Sequence, residues 1–273
     1  MKTPRAQSPY LLGANEAELE RLRFQHSVWE AVTERFILRL GIREGWHCLD
    51  VGAGPGFVSW DLLDLVGKAG SVTLVEPSPF YCAYARSQAA ARRHANVTVL
   101  EGRLEDVTLR AGAYDLVLVR WVLSFVSDPE NFVRTLLPAL RPGGILAIQD
   151  YAYEGLSLYP RGGAFERMPD VVRAYYRGAG GDPYVAARLP GIFRGAGLAL
   201  VDYSPTCLAG GPGSGVMEWG HRFFSAHVPL MKERGLLSAP DAEAVLQDWG
   251  DHQRNPDALF FSPLVVDVAG RKV

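Results

Sequence analysis

The chain has 273 residues, of which 48% are hydrophobic and 21% are charged, and its formal net charge is −2 at pH 7. These values are typical of a core-forming globular protein with one large domain, or one domain with a sizeable insertion. Adjacent basic residues occur only at Arg92-Arg93 and Arg271-Lys272, so the sequence has no basic stripe of the kind that binds nucleic acid. We therefore expect no nucleic-acid partner.

Cysteine content and hydropathy exclude further classes. The three cysteines, Cys48, Cys82 and Cys207, are far apart and odd in number, which fits neither a disulfide framework nor a zinc site. The first residues, MKTPRAQSPYLLG, contain no apolar signal-peptide core, and no run of ~18 apolar residues predicts a membrane span. We expect a cytoplasmic protein, monomeric or homodimeric, with no metal site and no membrane partner.

The first predicted element is a long amphipathic helix. Asn15, followed three residues later by Glu18, is a helix start of the capping-box type. Apolar residues then recur at steps of three, four and seven and predict one buried face: Leu19, Leu22, Trp29, Val32, Phe36 and Leu40. Gln25 and His26 fall in the gap of this stripe, where polar groups need partners. Either they are satisfied within the core or they face a ligand.

From residue 46, short apolar runs alternate with helical stretches. The runs that predict strands are 46–51, 71–76, 97–102, 114–120 and 145–151. The stretches that predict helices between them are 54–67, 78–94 and 129–144. Such alternation predicts βαβ units, and hence an α/β protein whose parallel sheet lies between two layers of helices. In the C-terminal part, 197–208 and 258–272 predict two further strands, separated by two helical segments rich in Trp and Phe.

Three glycines follow the first predicted strand, at Gly52, Gly54 and Gly56. In an open parallel sheet, ligands bind beyond the carboxyl ends of the strands, which is where this loop lies. A dinucleotide-binding loop has the pattern G-x-G-x-x-G, but its sixth position here is Phe57, whose ring would stand where close helix–strand packing needs glycine. The sequence therefore disfavours a nicotinamide-dependent oxidoreductase.

A carboxylate ends the second predicted strand, at Glu76. It lies 20 residues after Gly56, and its two oxygens can accept both hydroxyls of a ribose. This feature fits the ribose of NAD as well as that of an adenosyl group. A surface acid at a strand end is the simpler alternative.

Five motifs occur in register and carry a family resemblance. They are LDVGAGPG at 49–56, VEPS at 75–78, LEGRLEDV at 100–107, YDLVLVRWVLSFVSDPENF at 114–132 and LRPGGILAIQDY at 140–151. In this order and spacing they resemble the class I S-adenosylmethionine-dependent methyltransferases, in particular the bacterial small-molecule branch. The resemblance implies a Rossmann-like, doubly wound, seven-stranded sheet, mostly parallel, in which the last strand, 259–269, is antiparallel.

We also predict three parts. Residues 1–45 would form an N-terminal lid, with Tyr10 before a hinge at Gly13, together with the amphipathic helix. Residues 46–155 would form the S-adenosylmethionine-binding core. Residues 156–273 would form a helical substrate-pocket insertion and complete the sheet.

The cofactor site that the resemblance implies follows the motifs. Gly52, Ala53, Gly54 and Gly56 would pass under the methionyl part of S-adenosylmethionine, beside Asp50. Glu76 would hold the ribose, Pro77 and Ser78 would line its edge, and Leu104 and Glu105 would contact the adenine. The remaining predicted cofactor-binding residues are Tyr10, Gln25, Arg103, Arg120 and Trp121. Two positions depart from the family pattern: Arg103 stands where many relatives carry Asp, and Phe125 stands where the family often has His.

Arg120 ends an otherwise apolar strand, where a guanidinium is costly unless it meets an anion. The carboxylate of the cofactor is one candidate. A structural ion pair with a nearby Asp or Glu is the other.

Methyl transfer from a sulfonium is an in-line displacement with an excellent leaving group, so it mainly needs the reacting atoms held in line. A base helps only if the acceptor loses a proton, and His26 is the candidate because the helix stripe places it inward. Ring surface for an acceptor comes from the following residues, most of which are expected in the core: Tyr151, Tyr153, Trp219, Phe223, Phe224, Trp249, Phe260 and Phe261.

The prediction is an enzyme that methylates O, N or C of a small, largely apolar or aromatic metabolite. The main alternative is a protein that binds S-adenosylmethionine without methylating, such as a sensor, lyase or cyclase.

Overall fold

The computed structural model describes residues 13–273, and its central element is a twisted sheet. Within that range, seven strands join in the order β3-β2-β1-β4-β5-β10-β7. Their bounds are β1 His47–Val51, β2 Ser71–Glu76, β3 Val97–Glu101, β4 Tyr114–Arg120, β5 Leu140–Ala152, β7 Leu198–Thr206 and β10 Leu264–Lys272. β10 runs antiparallel to both of its neighbours, β5 and β7, whereas the pairs among β1 to β5 are parallel. The predicted fold class is confirmed.

Helices cover both faces of this sheet. Their bounds are α1 Glu16–Arg39, α2 Phe57–Val66, α3 Pro79–Ala91, α4 Pro129–Leu136, α5 Met168–Gly178, α6 Val185–Gly195, α7 Gly215–Glu233 and α8 Ala239–Arg254. Apolar residues of α4 and α6 pack with one set of strand side chains, and those of α2 and the C-terminal half of α1 pack with another. Because both faces are covered, β4 is buried along almost its whole length.

The final strand begins later than the sequence predicted. Phe261 ends β9 (Leu259–Phe261), which belongs to a separate three-stranded sheet with β6 (Ser157–Tyr159) and β8 (Ala209–Gly210). β10 begins at Leu264, so Ser262 and Pro263 separate the two strands. Proline lacks the backbone N–H that a sheet ladder needs, and it explains the break. The antiparallel direction of the last strand is as predicted, and its bounds 259–269 are wrong.

The helix predicted over 129–144 is also shorter than expected. It ends at Leu136, and the Arg-Pro-Gly-Gly segment already belongs to β5, which begins at Leu140. The register between β4 and β5 shifts between Tyr114 and Leu116. This irregularity accommodates the Arg-Pro-Gly-Gly segment at the start of β5.

Helix α1 begins as predicted, because the Asn15 side chain accepts the backbone N–H of Glu18 at 2.9 Å. Its inward face extends to a third core, which is rich in aromatic residues and packs around the C-terminal end of β5. This core joins Trp29 and Val32 of α1 to residues of α5, α7, α8 and β9. Within residues 13–273, no helix has the length and apolar content that crossing a membrane requires.

Candidate active site

A cavity of about 770 Å³ opens at the carboxyl ends of the parallel strands. The structure brings these predicted site residues to its wall: Gln25, His26, Asp50, Gly52, Ala53, Gly54, Glu76, Pro77, Ser78, Arg103, Leu104, Glu105, Arg120 and Trp121. Gly56 is not part of the wall, and Tyr10 lies outside the described residues. Their contacts with a cofactor stay a prediction.

The glycine loop between β1 and α2 presents bare backbone to the cavity. Gly52 has φ +71°, and a Cβ there would lie 2.4 Å from Cγ2 of Val122, so the position accepts no side chain. Gly54 has φ +55° and lines the cavity, and no atom lies within 4 Å of where its Cβ would be. A ligand can therefore approach the main chain of the loop closely.

Glu76 stands at the end of β2 and is 7% exposed. Its Oε2 accepts the backbone N–H of Gly54 at 2.9 Å, and its Oε1 accepts that of Ser78 at 2.8 Å. Burial raises the pKa of Glu76, and these two backbone hydrogen bonds partly oppose the shift. Each carboxylate oxygen keeps a further lone pair, so the group can still accept two ligand hydroxyls.

Asp50 is buried at 3% exposure in β1, below the glycine loop, where its Oδ2 accepts the hydroxyl of Ser59 at 2.6 Å. Burial raises the pKa of Asp50 to about 6.

On the opposite wall, Arg120 ends β4 and is held on three sides. Its Nε donates to Oε1 of Gln149 at 2.9 Å, its Nη1 lies 3.3 Å from Nδ1 of His26, and its guanidinium lies 3.8 Å from the ring centroid of Trp121. Its Nη2 is buried without a hydrogen-bond partner. Burial lowers the pKa of Arg120 to about 10, so it stays charged at neutral pH. A buried guanidinium with a free donor is suited to an anionic ligand.

His26 lies between the two walls, with its ring stacked on Phe57 at 5.5 Å. Burial, and then the charge of Arg120, lower the pKa of His26 to about 4. The imidazole is therefore neutral at physiological pH. Since the guanidinium of Arg120 can only donate, Nδ1 of His26 is the acceptor in their contact. Nε2 of His26 lies 3.8 Å from the carboxylate of Asp61.

The other half of the cavity is lined by aromatic rings. Of the residues singled out from the sequence as acceptor surface, six line it: Tyr151, Tyr153, Trp219, Phe223, Phe224 and Phe260. Trp249 and Phe261 do not. Five rings contact one another in series along this wall, with centroids 5.1 to 6.0 Å apart: Trp121, Tyr151, Tyr153, Tyr176 and Phe125. The hydroxyl of Tyr153 donates to that of Tyr176 at 3.4 Å.

Sequence reasoning missed several residues of the wall. Arg21 is buried on α1, binds the Glu18 carboxylate through Nε and Nη2 at 2.8 and 2.7 Å, and donates to Oε1 of Gln25 at 3.0 Å. Its spacing of four residues before Gln25 is the signal that could have found it. Tyr176 on α5 carries no such signal, because its neighbour Tyr175 is equally buried.

Residues 49–148 match the profile of a protein family described as a methyltransferase domain. This match spans the glycine loop, Glu76 and Arg120, which form one half of the cavity wall. Residues 49–148 thus carry a methyltransferase domain, and its sheet and glycine loop are those of the class I S-adenosylmethionine-dependent type. Within the described part of the chain, no group of three or more His, Cys, Asp or Glu side chains is arranged to hold a metal ion.

The methyltransferase has curated relatives of moderate similarity. It is 25% identical over 193 residues to the demethylmenaquinone methyltransferase of Lactococcus lactis, which covers 66% of this chain and 75% of the relative. It is 27% identical over 129 residues to a ubiquinone/menaquinone biosynthesis C-methyltransferase of Azotobacter vinelandii, which covers 46% of this chain and 49% of the relative. The chain thus spans about half the length of that second relative.

Solved structures resemble the methyltransferase in fold. A S-adenosylmethionine-dependent methyltransferase from Aquifex aeolicus matches with a TM-score of 0.52 and 18% identity over 89% of each chain. The [4+2]-cyclase SpnF matches with a TM-score of 0.54 and 19% identity, over 89% of this chain and 80% of its own. The second likeness shows that this fold also serves a protein whose name describes a different reaction.

The residues of this methyltransferase fit S-adenosylmethionine on three observations. An acidic side chain with spare acceptor capacity, Glu76, lines the cavity and could accept the hydroxyls of a ribose. A buried guanidinium N–H of Arg120 lacks a partner. The loop at Gly54 leaves open space where any other residue would place a side chain.

Proposed function

We propose that this methyltransferase methylates O, N or C of a small, largely apolar or aromatic metabolite. The observation that carries the proposal is the continuity of one cavity. Its first half is formed by the glycine loop, Glu76 and Arg120, and its second half is formed by aromatic rings. A volume of about 770 Å³ falls in the range of ~300–1,000 Å³ that is usual for small-molecule sites.

In the first half, the chain's own residues hold the cofactor by its polar groups. Glu76 would accept the ribose hydroxyls, and Arg120 would bind the carboxylate. Asp50, Pro77, Ser78, Arg103, Leu104 and Glu105 would complete the walls. When bound, S-adenosylmethionine supplies an activated methyl group on sulfur. The enzyme's main task is then to hold the acceptor in line and exclude water.

In the second half, ring surface buries the acceptor and a few polar groups orient it. The three tyrosines of the ring series are at most 5% exposed, and burial raises the pKa of Tyr151, Tyr153 and Tyr176. Their hydroxyls therefore stay protonated at neutral pH and serve as neutral hydrogen-bonding groups rather than as bases. We propose that the Tyr153–Tyr176 hydroxyl pair binds an oxygen of the acceptor.

The relatives' names make quinone-type rings the first acceptors to test, since two of them are methyltransferases of menaquinone or ubiquinone biosynthesis. An aromatic ring with hydroxyl groups would fit both the ring surface and the hydroxyl pair. If proton loss from such a hydroxyl needs a base, His26 is our candidate. The partner is thus a small molecule, and a cytoplasmic location and a monomeric or homodimeric state stay predictions.

The experiment is a conversion assay with S-adenosylmethionine and a panel of hydroquinones, phenols and amines. We expect methylated product and S-adenosylhomocysteine to appear together, and only with an acceptor present. Transformation of a compound without release of S-adenosylhomocysteine would favour the alternative of a lyase or cyclase, and ligand binding without any turnover would favour a sensor. Activity confined to nucleic acid, falling steeply with salt, would contradict the small-molecule proposal.

A further inference from the structure

A buried amide lies behind Arg120. Gln149, on the interior strand β5, is 0% exposed. Its Oε1 accepts hydrogen bonds from Nε of Arg120 at 2.9 Å and from the hydroxyl of Thr33 at 3.0 Å. Its Nε2 donates to Oδ1 of Asp267 at 2.7 Å. A polar side chain inside a sheet is costly unless its polar atoms are hydrogen-bonded, and both Oε1 and Nε2 of Gln149 are.

The orientation of that amide is determined by its neighbours. A guanidinium can only donate and a carboxylate can only accept, so Oε1 has to face Arg120 and Nε2 has to face Asp267. The second oxygen of Asp267 accepts from Nη2 of Arg39 at 2.9 Å, and Nε of Arg39 donates to Asp202 at 2.7 Å. A continuous series of hydrogen bonds therefore runs from the half-exposed Arg39, along the face of the sheet that α1 covers, to the cavity wall.

This series restrains the guanidinium of Arg120 from behind. The contacts with Gln149, His26 and Trp121 occupy its Nε, its Nη1 and one of its faces. The group that stays unsatisfied is Nη2. A guanidinium that can rotate loses conformational entropy when it binds an anion. A guanidinium that is already held in place loses little, so the restraint increases its affinity for the anion.

We propose that Gln149 is a positioning residue, which holds Arg120 in the orientation that binds the carboxylate of the cofactor. Asp267 and Arg39 would hold Gln149 in turn. The inference rests on the proposed function, because it takes the cofactor's carboxylate as the partner of Arg120. It assigns a role to residues that no sequence pattern places in the site, since Gln149 and Asp267 lie 118 positions apart in the chain.

The test compares two ligands and needs no acceptor. S-adenosylhomocysteine carries the carboxylate, and 5′-methylthioadenosine carries the same nucleoside without it. We expect Gln149→Leu to weaken S-adenosylhomocysteine binding, measured by calorimetry, by about tenfold or more, with 5′-methylthioadenosine binding changed less than about twofold. Ile148→Val is the matched control, because Ile148 is the equally buried neighbour in β5 and contributes only to the apolar core.

A conservative variant and a double mutant sharpen the result. In Gln149→Glu, one oxygen can still accept from Arg120 and Thr33, and the other can share a proton with Asp267, so we expect affinity within about threefold of the wild type at pH 6. Adding Gln149→Leu to Arg120→Met should cause no further loss, because the positioned group is gone.

Three outcomes would overturn the inference: equal losses for both ligands in Gln149→Leu, no loss for either, or losses that add in the double mutant. Each leaves the proposed function standing, provided that the wild type binds S-adenosylhomocysteine. A wild type that does not bind it would overturn the proposed function itself.

Discussion

The carboxylate of Glu76 accepts the backbone N–H of Gly54 at 2.9 Å, and so joins the end of β2 to the glycine loop that follows β1. The same side chain therefore shapes the loop and faces the cavity. A substitution at Glu76 should therefore affect the stability of the protein as well as ligand binding. The backbone N–H groups of Gly54 and Ser78 lose their acceptor even when no ligand is bound.

We expect Glu76→Gln to weaken S-adenosylhomocysteine binding by about tenfold or more, since a charge-assisted hydrogen bond is worth roughly 1.5–3 kcal/mol. The variant should also lower the melting temperature, because the amide NH₂ replaces an acceptor opposite a backbone N–H. Calorimetry with S-adenosylhomocysteine and its 2′-deoxy analogue separates these effects, and we expect the variant to lose the wild-type preference for the ribose form. Glu101→Gln is the control: this exposed acid is the neighbour of Glu76 in β3. An unchanged preference would make Glu76 a purely structural acid.

The second prediction concerns Arg120. Arg120→Met should weaken S-adenosylhomocysteine binding by about tenfold or more and leave 5′-methylthioadenosine, which has no carboxylate, nearly unaffected. Arg120→Lys should recover little, because an ammonium cannot bond Gln149 and a carboxylate with the fork geometry of a guanidinium. Both affinities are measured by calorimetry at one salt concentration. Parallel losses for the two ligands would contradict binding of the carboxylate by Arg120.

His26 allows a test of the base prediction. In His26→Asn, the amide oxygen can replace Nδ1 as the acceptor from Arg120, but it cannot take up a proton as the imidazole can. If His26 is the base, kcat should fall by about 100-fold or more, with cofactor affinity changed little. Because the pKa of His26 is lowered to about 4, the wild-type rate should not titrate with this group between pH 6 and pH 8. A variant with wild-type kcat would show that no base is needed at this position.

The fourth prediction concerns the acid sensitivity of the fold through His227, a residue of α7 that is 2% exposed. Its Nδ1 lies 2.8 Å from the backbone oxygen of Phe223, and burial lowers the pKa of His227 from 6.5 to about 4. The unfolded chain therefore binds this proton first, and the stability due to neutral His227 is lost as pH falls from 6.5 towards 4. That loss amounts to about 3 kcal/mol at pH 4.

Urea unfolding of the wild type and His227→Gln at pH 7 and pH 4.5 measures this effect. The variant should be less stable at pH 7, and the difference between the two proteins should shrink or reverse at pH 4.5. The buried carboxylates whose pKa values burial raises, such as Asp50 and Asp150, act in the opposite direction in both proteins and so cancel in the comparison. A difference that does not change with pH would contradict the assignment.

Much of the fold could be predicted from the sequence because its signals are local. The apolar stripe of α1 and the alternation of strands and helices depend on residues a few positions apart, and the structure has both. The break between β9 and β10 had a local signal too, at Pro263, which the apolar run around it concealed. The end of α4 at Leu136 had a local signal as well, at Pro138, because proline disfavours the helical conformation of the residue before it.

The residues of the candidate site could be predicted where they belong to short sequence motifs. They could not be predicted where only tertiary packing brings them together. The glycine loop and Glu76 are read from short patterns. Arg120 was found because a charged residue ended an apolar strand, but its partners Gln149 and His26 belong to segments far away in the chain. Such contacts depend on the register of β5 and the position of α1 on the sheet, which no short pattern specifies.

The last prediction concerns the acceptor half, where hydroxyl groups rather than charges would set specificity. Tyr153 donates to Tyr176 at 3.4 Å, a long contact that leaves both hydroxyls able to bond an acceptor oxygen. Tyr153→Phe and Tyr176→Phe should each lower kcat/KM for a hydroxylated aromatic acceptor by about tenfold, the equivalent of one hydrogen bond, and leave cofactor affinity unchanged.

Tyr175→Phe is a matched control for this test, because Tyr175 is the adjacent, fully buried residue on α5, does not line the cavity, and has a buried hydroxyl without a hydrogen-bond partner. Removing an unsatisfied hydroxyl should keep or raise stability and leave turnover unchanged. Steady-state kinetics with one hydroquinone and its O-methylated counterpart then separate two roles for the Tyr153–Tyr176 hydroxyl pair. If the hydroxyls bind an acceptor oxygen, the two Phe variants should lose most of the discrimination between these compounds, whereas a pair that only packs would leave the discrimination intact.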